Sequence, residues 1–261
     1  MTVLITGASG GIGYELAKLF AADHHNLVLV ARSGDKLTQL ADELQHQHGI
    51  SARVISLDLT ALEAPQFLFD RLQREAIAID ILVNNAGYGI LGDFAQIPIA
   101  EDLGQIQLNI TALTQLTKLF LGPMLTRRQG RILNVASTAA FQPGPMMAVY
   151  YASKAYVLSF SEALANELSG TGVTVTCLCP GPTDTGFQGR AGTDKTVLFA
   201  KVPAADAASV ARDGYRALMS GKTLVISGLF NRLLAESIRF APRKLATAIS
   251  RKVLEKKKSV P

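Results

Sequence analysis

Tyr150 and Lys154 stand four residues apart in a stretch with helical character, from Val149 to about Leu168. On a helix, positions four apart share a face, one turn above the other. A free phenol has a pKa of about 10 and is a poor proton shuttle at neutral pH. A neighbouring ammonium favours the phenolate and draws that value down. A tyrosine over a lysine is therefore one way to build a general acid/base. The same spacing also describes an ordinary solvated helix face, so the pair needs company. Ser137 offers it. This residue follows Arg131 to Val135, which reads as a strand, and a hydroxyl there can polarise a carbonyl oxygen.

Such side chains must be held by a scaffold, and the rest of the chain spells one out. Val3 to Thr6 reads as a strand, Gly7-Ala-Ser-Gly-Gly-Ile-Gly13 follows at once, and a helical stretch runs from Ile12 to about Ala22. Strand, glycine turn, helix is the arrangement that sets a diphosphate on a helix N-terminus. The glycines let the backbone turn tightly and approach the phosphates. Their spacing is G-x-x-x-G-x-G. Asn26 to Ala31 reads as the second strand and ends in Arg32-Ser33. Dinucleotide folds that take NAD place an acid at this point, on the ribose hydroxyls, whereas an arginine suits a 2′-phosphate. Arg32 is either that phosphate ligand or a solvated loop residue. Asp35 belongs to the next helix start.

Leu37 to Gln47 reads as a helix, and Val54 to Leu57 as the third strand, followed by Asp58. An acid at a strand's C-terminal end is well placed for an adenine amine. Pro65 to Ala76 is a helix, and Ile79 to Val83 a strand that runs into Asn84-Asn85-Ala86-Gly87. The two amides either hold the next strand or pack on the adenosine side of a ligand. Ala100 to Thr126 reads as one long helix whose apolar face Asn109 interrupts. Asn109 either accompanies a kink or holds a water next to Lys154. Phe141 to Val149 reads as a loop, Val173 to Cys179 as the sixth strand, then Pro180-Gly181-Pro182-Thr183-Asp184-Thr185. Gly186 to Val202, with Phe187, Leu198 and Phe199, has no clear period and suits a binding loop. Asp206 to Met219 is helical, and Thr223 to Ser227 a seventh strand.

Composition narrows the function classes. The chain has 261 residues, 48% hydrophobic, within the size of one α/β unit. Its net charge is +5, but Arg239 to Lys258 alone carries +7, which leaves −2 for everything else. The basic character is a property of the tail, and a nucleic-acid partner for the body loses support. Cys177 and Cys179 are two apart on a strand, which suits buried thiols in a reducing compartment. The four histidines have no metal-site spacing. No secretory leader precedes Thr2-Val3-Leu4-Ile5, and no apolar run approaches a bilayer span. The expected location is the cytoplasm.

Thr6-Gly7-Ala8-Ser9-Gly10-Gly11-Ile12-Gly13, Asp58, Asn84-Asn85-Ala86-Gly87, Asn109, Ser137, Tyr150-x-x-x-Lys154 and Pro180-Gly181 resemble, in that order, the short-chain dehydrogenase/reductase family in its compact single-domain branch. The resemblance implies a Rossmann-like doubly wound parallel sheet of about seven strands with helices on both faces. It implies that Tyr150 passes the proton and Ser137 orients the substrate oxygen. Lys154 would hold the nicotinamide ribose and lower the Tyr150 pKa, and Asn109 would hold a water linking Lys154 to solvent. The family's spacing selects Tyr150 over Tyr151. The cofactor would lie on Gly7, Ser9, Gly11, Ile12, Gly13, Asp58, Asn85, Ala86, Gly87, Tyr150 and Lys154, with Pro180, Gly181 and Thr185 bordering the nicotinamide. Arg32, assisted by Ser33, looks like the NADP-preferring members. Gly10, however, stands where those members often carry a base. Dimers in this family pair the two long helices that carry Asn109 and Tyr150, so a homodimer is expected.

The resemblance weakens after about Thr185. Residues 1–228 read as the binding and catalytic domain, and 229–261 as a basic helical extension packed on it. Phe230, Leu233, Leu234, Ile238 and Phe240 precede Pro242, and Leu245, Ala248, Ile249 and Val253 follow at helical spacing. The extension is either a helix pair with a basic outer face or a peripheral anchor on an anionic membrane. A substrate pocket is expected from Phe94, Ile97, Phe141, Met146, Met147, Phe187 and Phe199. The reading is an NADP(H)-dependent oxidoreductase acting on an apolar ketone, aldehyde or alcohol, without metal. Its alternatives are an NAD-dependent enzyme of the same fold and a non-catalytic NADP-binding sensor or scaffold.

Overall fold

Short β-branched runs alternating with helical stretches can bury both kinds of apolar surface only by layering helices on a parallel sheet. The computed structural model describes residues 1–193, 196 and 204–255 and has this layered form. Strand β1 (Thr2–Thr6) leads into α1 (Gly11–Ala22), β2 (Asn26–Ala31), α2 (Gly34–His48), β3 (Ala52–Ser56), α3 (Ala64–Arg74) and β4 (Ile81–Asn84). Then come α4 (Ile99–Ile106), a π-helical segment (Gln107–Ala112), α5 (Leu113–Arg127) and β5 (Gly130–Val135). A 3₁₀ turn (Thr138–Phe141) precedes α6 (Ala148–Glu167) and β6 (Val173–Cys179). Beyond it lie β7 (Thr183–Asp184), α7 (Phe187–Ala191), β8 (Ala205–Asp206), α8 (Ala207–Met219) and β9 (Leu224–Ile226). Two helices, α9 (Leu229–Ile238) and α10 (Arg243–Leu254), follow.

Seven strands form one sheet in the order β3-β2-β1-β4-β5-β6-β9, every neighbouring pair parallel. Alternate residues serve opposite faces, as the pleat requires. Val3, Ile5, Leu27 and Leu29 pack with α1 and α2, while Leu4, Val28, Val30 and Leu82 pack with Leu68, Leu72, Leu116 and Phe120. The order reverses between β1 and β4, which opens a crevice at the strands' C-terminal ends. Asn84 holds that region from below. Its amide donates to Thr117 Oγ1 (3.0 Å) and Asn134 Oδ1 (2.9 Å), and Asn134 donates to Ser161 Oγ (2.9 Å).

The expected single helix from Ala100 to Thr126 is instead interrupted by six residues of π-helix, with Asn109 inside them. A π segment shifts the register of the side chains and is a common device at functional sites. It brings the buried Asn109 to the backbone of Tyr88, its Oδ1 accepting from Tyr88 N–H and its amide donating to Tyr88 O. Cys177 and Cys179 are free and buried, sulfurs 3.8 Å apart. The described part of the tail forms the two helices α9 and α10. Of the irregular stretch from Gly186, α7 and Thr196 are described; Leu198 and Phe199 lie outside the described residues.

Candidate active site

The glycine turn is shaped by what surrounds it. Gly7 and Gly11 adopt left-handed φ values of 68° and 56°, which only glycine accepts cheaply. A Cβ on Gly13 would come within 2.5 Å of both Asn85 Nδ2 and the Gly7 carbonyl. Asn85 is the clamp: its amide donates to Thr6 O (2.9 Å) and Gly7 O (3.1 Å), and its N–H donates to Thr6 Oγ1 (3.0 Å). The sequence left open whether the amide pair supports strands or packs on a ligand. Asn84 supports strands, and Asn85 fixes the turn while also lining the crevice. No side chain caps α1, so its first N–H groups are left to an anion.

Tyr150, Lys154 and Ser137 meet at the other end of the same crevice. Lys154 is buried, and its Nζ donates to Val135 O (2.8 Å) while standing 5.8 Å from the Tyr150 ring centroid. Ser137 caps the 3₁₀ turn, its Oγ accepting from Ala139 N–H (3.1 Å). Ser153 joins the group from behind, donating to Tyr150 O (2.7 Å) and accepting from the Asn109 amide (3.0 Å). Tyr151 lines the same cavity and packs with Met147, Ala191 and Leu254, its ring 6.1 Å from that of Tyr150. The Lys154 Nζ stands over the Tyr150 ring. Tyr150 is therefore the phenol beside lysine and serine.

The electrostatics correct one expectation. Burial pushes the Tyr150 phenol above its ordinary value, with the Ser137 hydroxyl acting in the opposite sense. Burial also pulls Lys154 down to about 8. Desolvation dominates at both groups, raising the phenol and lowering the ammonium.

At the far end, Arg32 and Lys36 line the crevice together with Arg190, which sequence reasoning missed. The Arg190 guanidinium lies 4.0 Å from the Tyr88 ring centroid, and Leu91 N–H donates to Ala191 O (2.9 Å). These contacts tie α7 to the loop after β4. Burial opposes ionisation of Asp58, but bonds from the Thr60 N–H and hydroxyl, with Arg32 and Arg190 nearby, hold its carboxyl below the ordinary range.

Ser9, Gly11, Ile12, Ala86, Gly87, Pro180, Gly181 and Thr185 also line the crevice, while Gly13, Ser33, Asp58 and Asn109 do not. Gly13 lies buried beneath the turn, Ser33 is exposed at the start of α2, and Asn109 stands behind Gly87. The expected substrate wall needs larger revision. Met147 and Phe187 line the cavity; Phe94, Ile97, Phe141 and Met146 do not. Phe94 is 65% exposed on a surface turn, and Phe141 packs against the cysteine cluster behind the sheet. Their places are taken by the tail: Phe230, Leu234 and Ile238 from α9, and Ile249 and Val253 from α10. Asn231 sits directly on Gly181, where a Cβ would fall 2.4 Å from its Nδ2. The whole cavity measures about 730 Å³.

The family model described as short chain dehydrogenase matches residues 1–196. The chain belongs to the short-chain dehydrogenase/reductase family. It has the Rossmann-like fold described above. It is 37% identical over 180 residues to the ketoacyl reductase HetN of Nostoc sp., a match covering 69% of this chain and 62% of that protein. The first curated relatives are matched over about half to three fifths of their own length. A short-chain dehydrogenase from Sphingobium yanoikuyae, solved in complex with NADPH, superposes with a TM-score of 0.83 at 34% identity over 94% of each chain. A bulky-bulky ketone specific alcohol dehydrogenase from Comamonas testosteroni does so with a TM-score of 0.77 at 30% identity, covering 93% of this chain and 95% of its own.

Proposed function

We propose that the chain is an NADP(H)-dependent reductase of apolar ketones or aldehydes, with Tyr150 as the proton donor. The observation that carries this is one cavity whose two ends differ in chemistry. Three cations, Arg32, Lys36 and Arg190, face one end, and Ser137, Tyr150 and Lys154 meet an apolar wall at the other. The residues fit the cofactor. A turn whose Gly7, Gly11 and Gly13 have no room for a Cβ and an uncapped helix N-terminus suit the diphosphate, and Arg32 suits the 2′-phosphate. Asp58 would face the adenine; Lys154, Pro180, Gly181 and Thr185 would border the nicotinamide ribose and ring. The solved relative with NADPH supports the same choice.

When bound, the nicotinamide supplies the hydride. Tyr150, kept protonated by burial, gives its proton to the substrate oxygen, and Ser137 steadies that oxygen as charge develops. Lys154 replenishes the phenol's environment with positive charge, and Asn109 fixes the Tyr88 loop in front of it. Residues 1–228 form the reacting unit in this reading, and 229–261 the extension that walls the pocket. A homodimer through α4, α5 and α6 is part of the proposal, supported by exposed Ile99, Leu103, Ile106 and Tyr156. A non-catalytic sensor is disfavoured because all three reactive side chains converge.

The test is NADPH oxidation against a panel of bulky and long-chain ketones and aldehydes, with NADH in parallel. Turnover with NADPH, and loss of NADPH preference in Arg32→Asp, is the expected result. Equal use of NADH by the unaltered enzyme would replace the cofactor assignment with NAD. Tight NADPH binding without any turnover would favour the sensor.

A further inference from the structure

The tail beyond residue 228 lies outside the stretch the family model matches, yet it decides what reaches Tyr150. Phe230 and Leu234 on α9 and Ile249 on α10 line the cavity and are also 68%, 50% and 54% exposed. Residues that line a pocket while facing solvent stand on its rim. Outside that rim, Leu229, Leu233, Phe240 and Leu245 are exposed too. Phe240, 89% exposed, sits in the turn between α9 and α10 with Arg239 before it and Arg243 and Lys244 after it. An apolar patch of this extent, continuous with a pocket mouth, marks a surface that meets something.

We propose that this rim docks on an anionic lipid surface, and that the substrate is a ketone or aldehyde on a long alkyl chain that enters between α9 and α10 from the lipid. This rests on the reading of the cavity as the substrate pocket. The charges select the occupant. Residues 229–255 hold six basic side chains (Arg232, Arg239, Arg243, Lys244, Arg251, Lys252) against Glu236 and Glu255. Two such surfaces repel each other, which disfavours a second copy of this chain. Anionic headgroups attract them, while the exposed leucines and phenylalanines enter the acyl boundary. Docking must be peripheral: no helix among the described residues is long and apolar enough to cross a membrane. A chain that follows the apolar wall from rim to Tyr150 never crosses water.

Flotation with phosphatidylcholine vesicles containing about one third phosphatidylglycerol tests the docking, with pure phosphatidylcholine as control. The variant is Leu233→Asp, Phe240→Asp and Leu245→Asp combined, three exposed positions that do not line the cavity. Native protein should float with the anionic vesicles at low salt, and binding should fall about tenfold or more in the variant and at high salt. Turnover of a long-chain ketone presented in those vesicles should fall in parallel, while turnover of a short soluble ketone stays unchanged and reports an intact fold. Native protein that stays unbound, or a variant that binds equally well, would overturn the docking. Unchanged long-chain turnover in a variant that no longer floats would overturn entry from the lipid. Failure of turnover on every ketone, with flotation as expected, would sink the catalytic reading and leave the docking standing. A larger native oligomer by light scattering, lost in the variant and without flotation, would assign the face to a second copy instead.

Discussion

At one end of the cavity, Gly7, Gly11 and Gly13 sit against Asn85 and Thr185 with no space for a Cβ. At the other end, beyond Tyr150, the walls are α9 and α10, whose Phe230, Leu234 and Ile249 are half or more exposed. The first region is close-packed backbone and hydrogen-bonded amides; the second is a loosely roofed apolar channel. The difference separates two jobs. A common cofactor asks every family member for one geometry, and Gly7, Gly11 and Gly13 tolerate nothing extra. A substrate is particular to each enzyme, and a wall made of a terminal appendage can change without disturbing the turn.

The largest effect is expected from Tyr150→Phe, which should lower kcat about a thousandfold while leaving NADPH affinity near the native value. A small loss would mean that another group passes the proton and that the reactive end has been misplaced.

Lys154 gives a pH signature. Its folded-state value, about 8, lies below the ordinary 10.5, so the unfolded chain holds the proton more tightly between those values. Stability should therefore rise with pH from about 8 to about 10.5, by about 3 kcal/mol, and be insensitive to this group on either side. Urea unfolding at pH 7.5 and 10 (roughly the ends of that window) should show the slope in the native protein and not in Lys154→Met. An identical slope in both would mean that Lys154 is better solvated than its burial implies.

Gly13→Ala tests the rigid end. The new methyl meets Asn85 and the Gly7 carbonyl, and the strain should cost about 2 kcal/mol in urea unfolding and weaken NADPH binding as well. A neutral result would show that the turn yields as readily as the tail. The smallest effect concerns the tie between α7 and the loop after β4. Arg190→Ala removes the cation from Tyr88 and from the phosphate end, and should raise the NADPH Kd about threefold to fivefold while leaving that for NADH nearly unchanged. Equal weakening for both cofactors would make Arg190 a mere packing residue.

The strands were legible because a buried parallel strand is written in its own residues. Asn26–Ala31 and Val173–Cys179 read in the sequence with the bounds they have in the structure. The glycine turn, Arg32, Ser137, Tyr150 and Lys154 were legible for the same local reason, since each follows directly from a strand end or a helix spacing. The π segment at Asn109 was not, because it arises from a contact with Tyr88, twenty-one residues away. Phe94, Ile97, Phe141 and Met146 were assigned to the pocket on apolar character alone, and character does not say which way a loop turns.

Side-chain type and short-range spacing were enough to set the sheet, the glycine turn and the shared helix face of Tyr150 and Lys154. Folding alone raised the Tyr150 phenol by desolvation, brought Arg190 near Arg32 and made the tail a wall of the cavity. Desolvation depends on everything packed around a group, and Asn231 meets Gly181 across fifty residues of chain. Contacts of that separation leave no period or motif, so they exist only once the chain has folded.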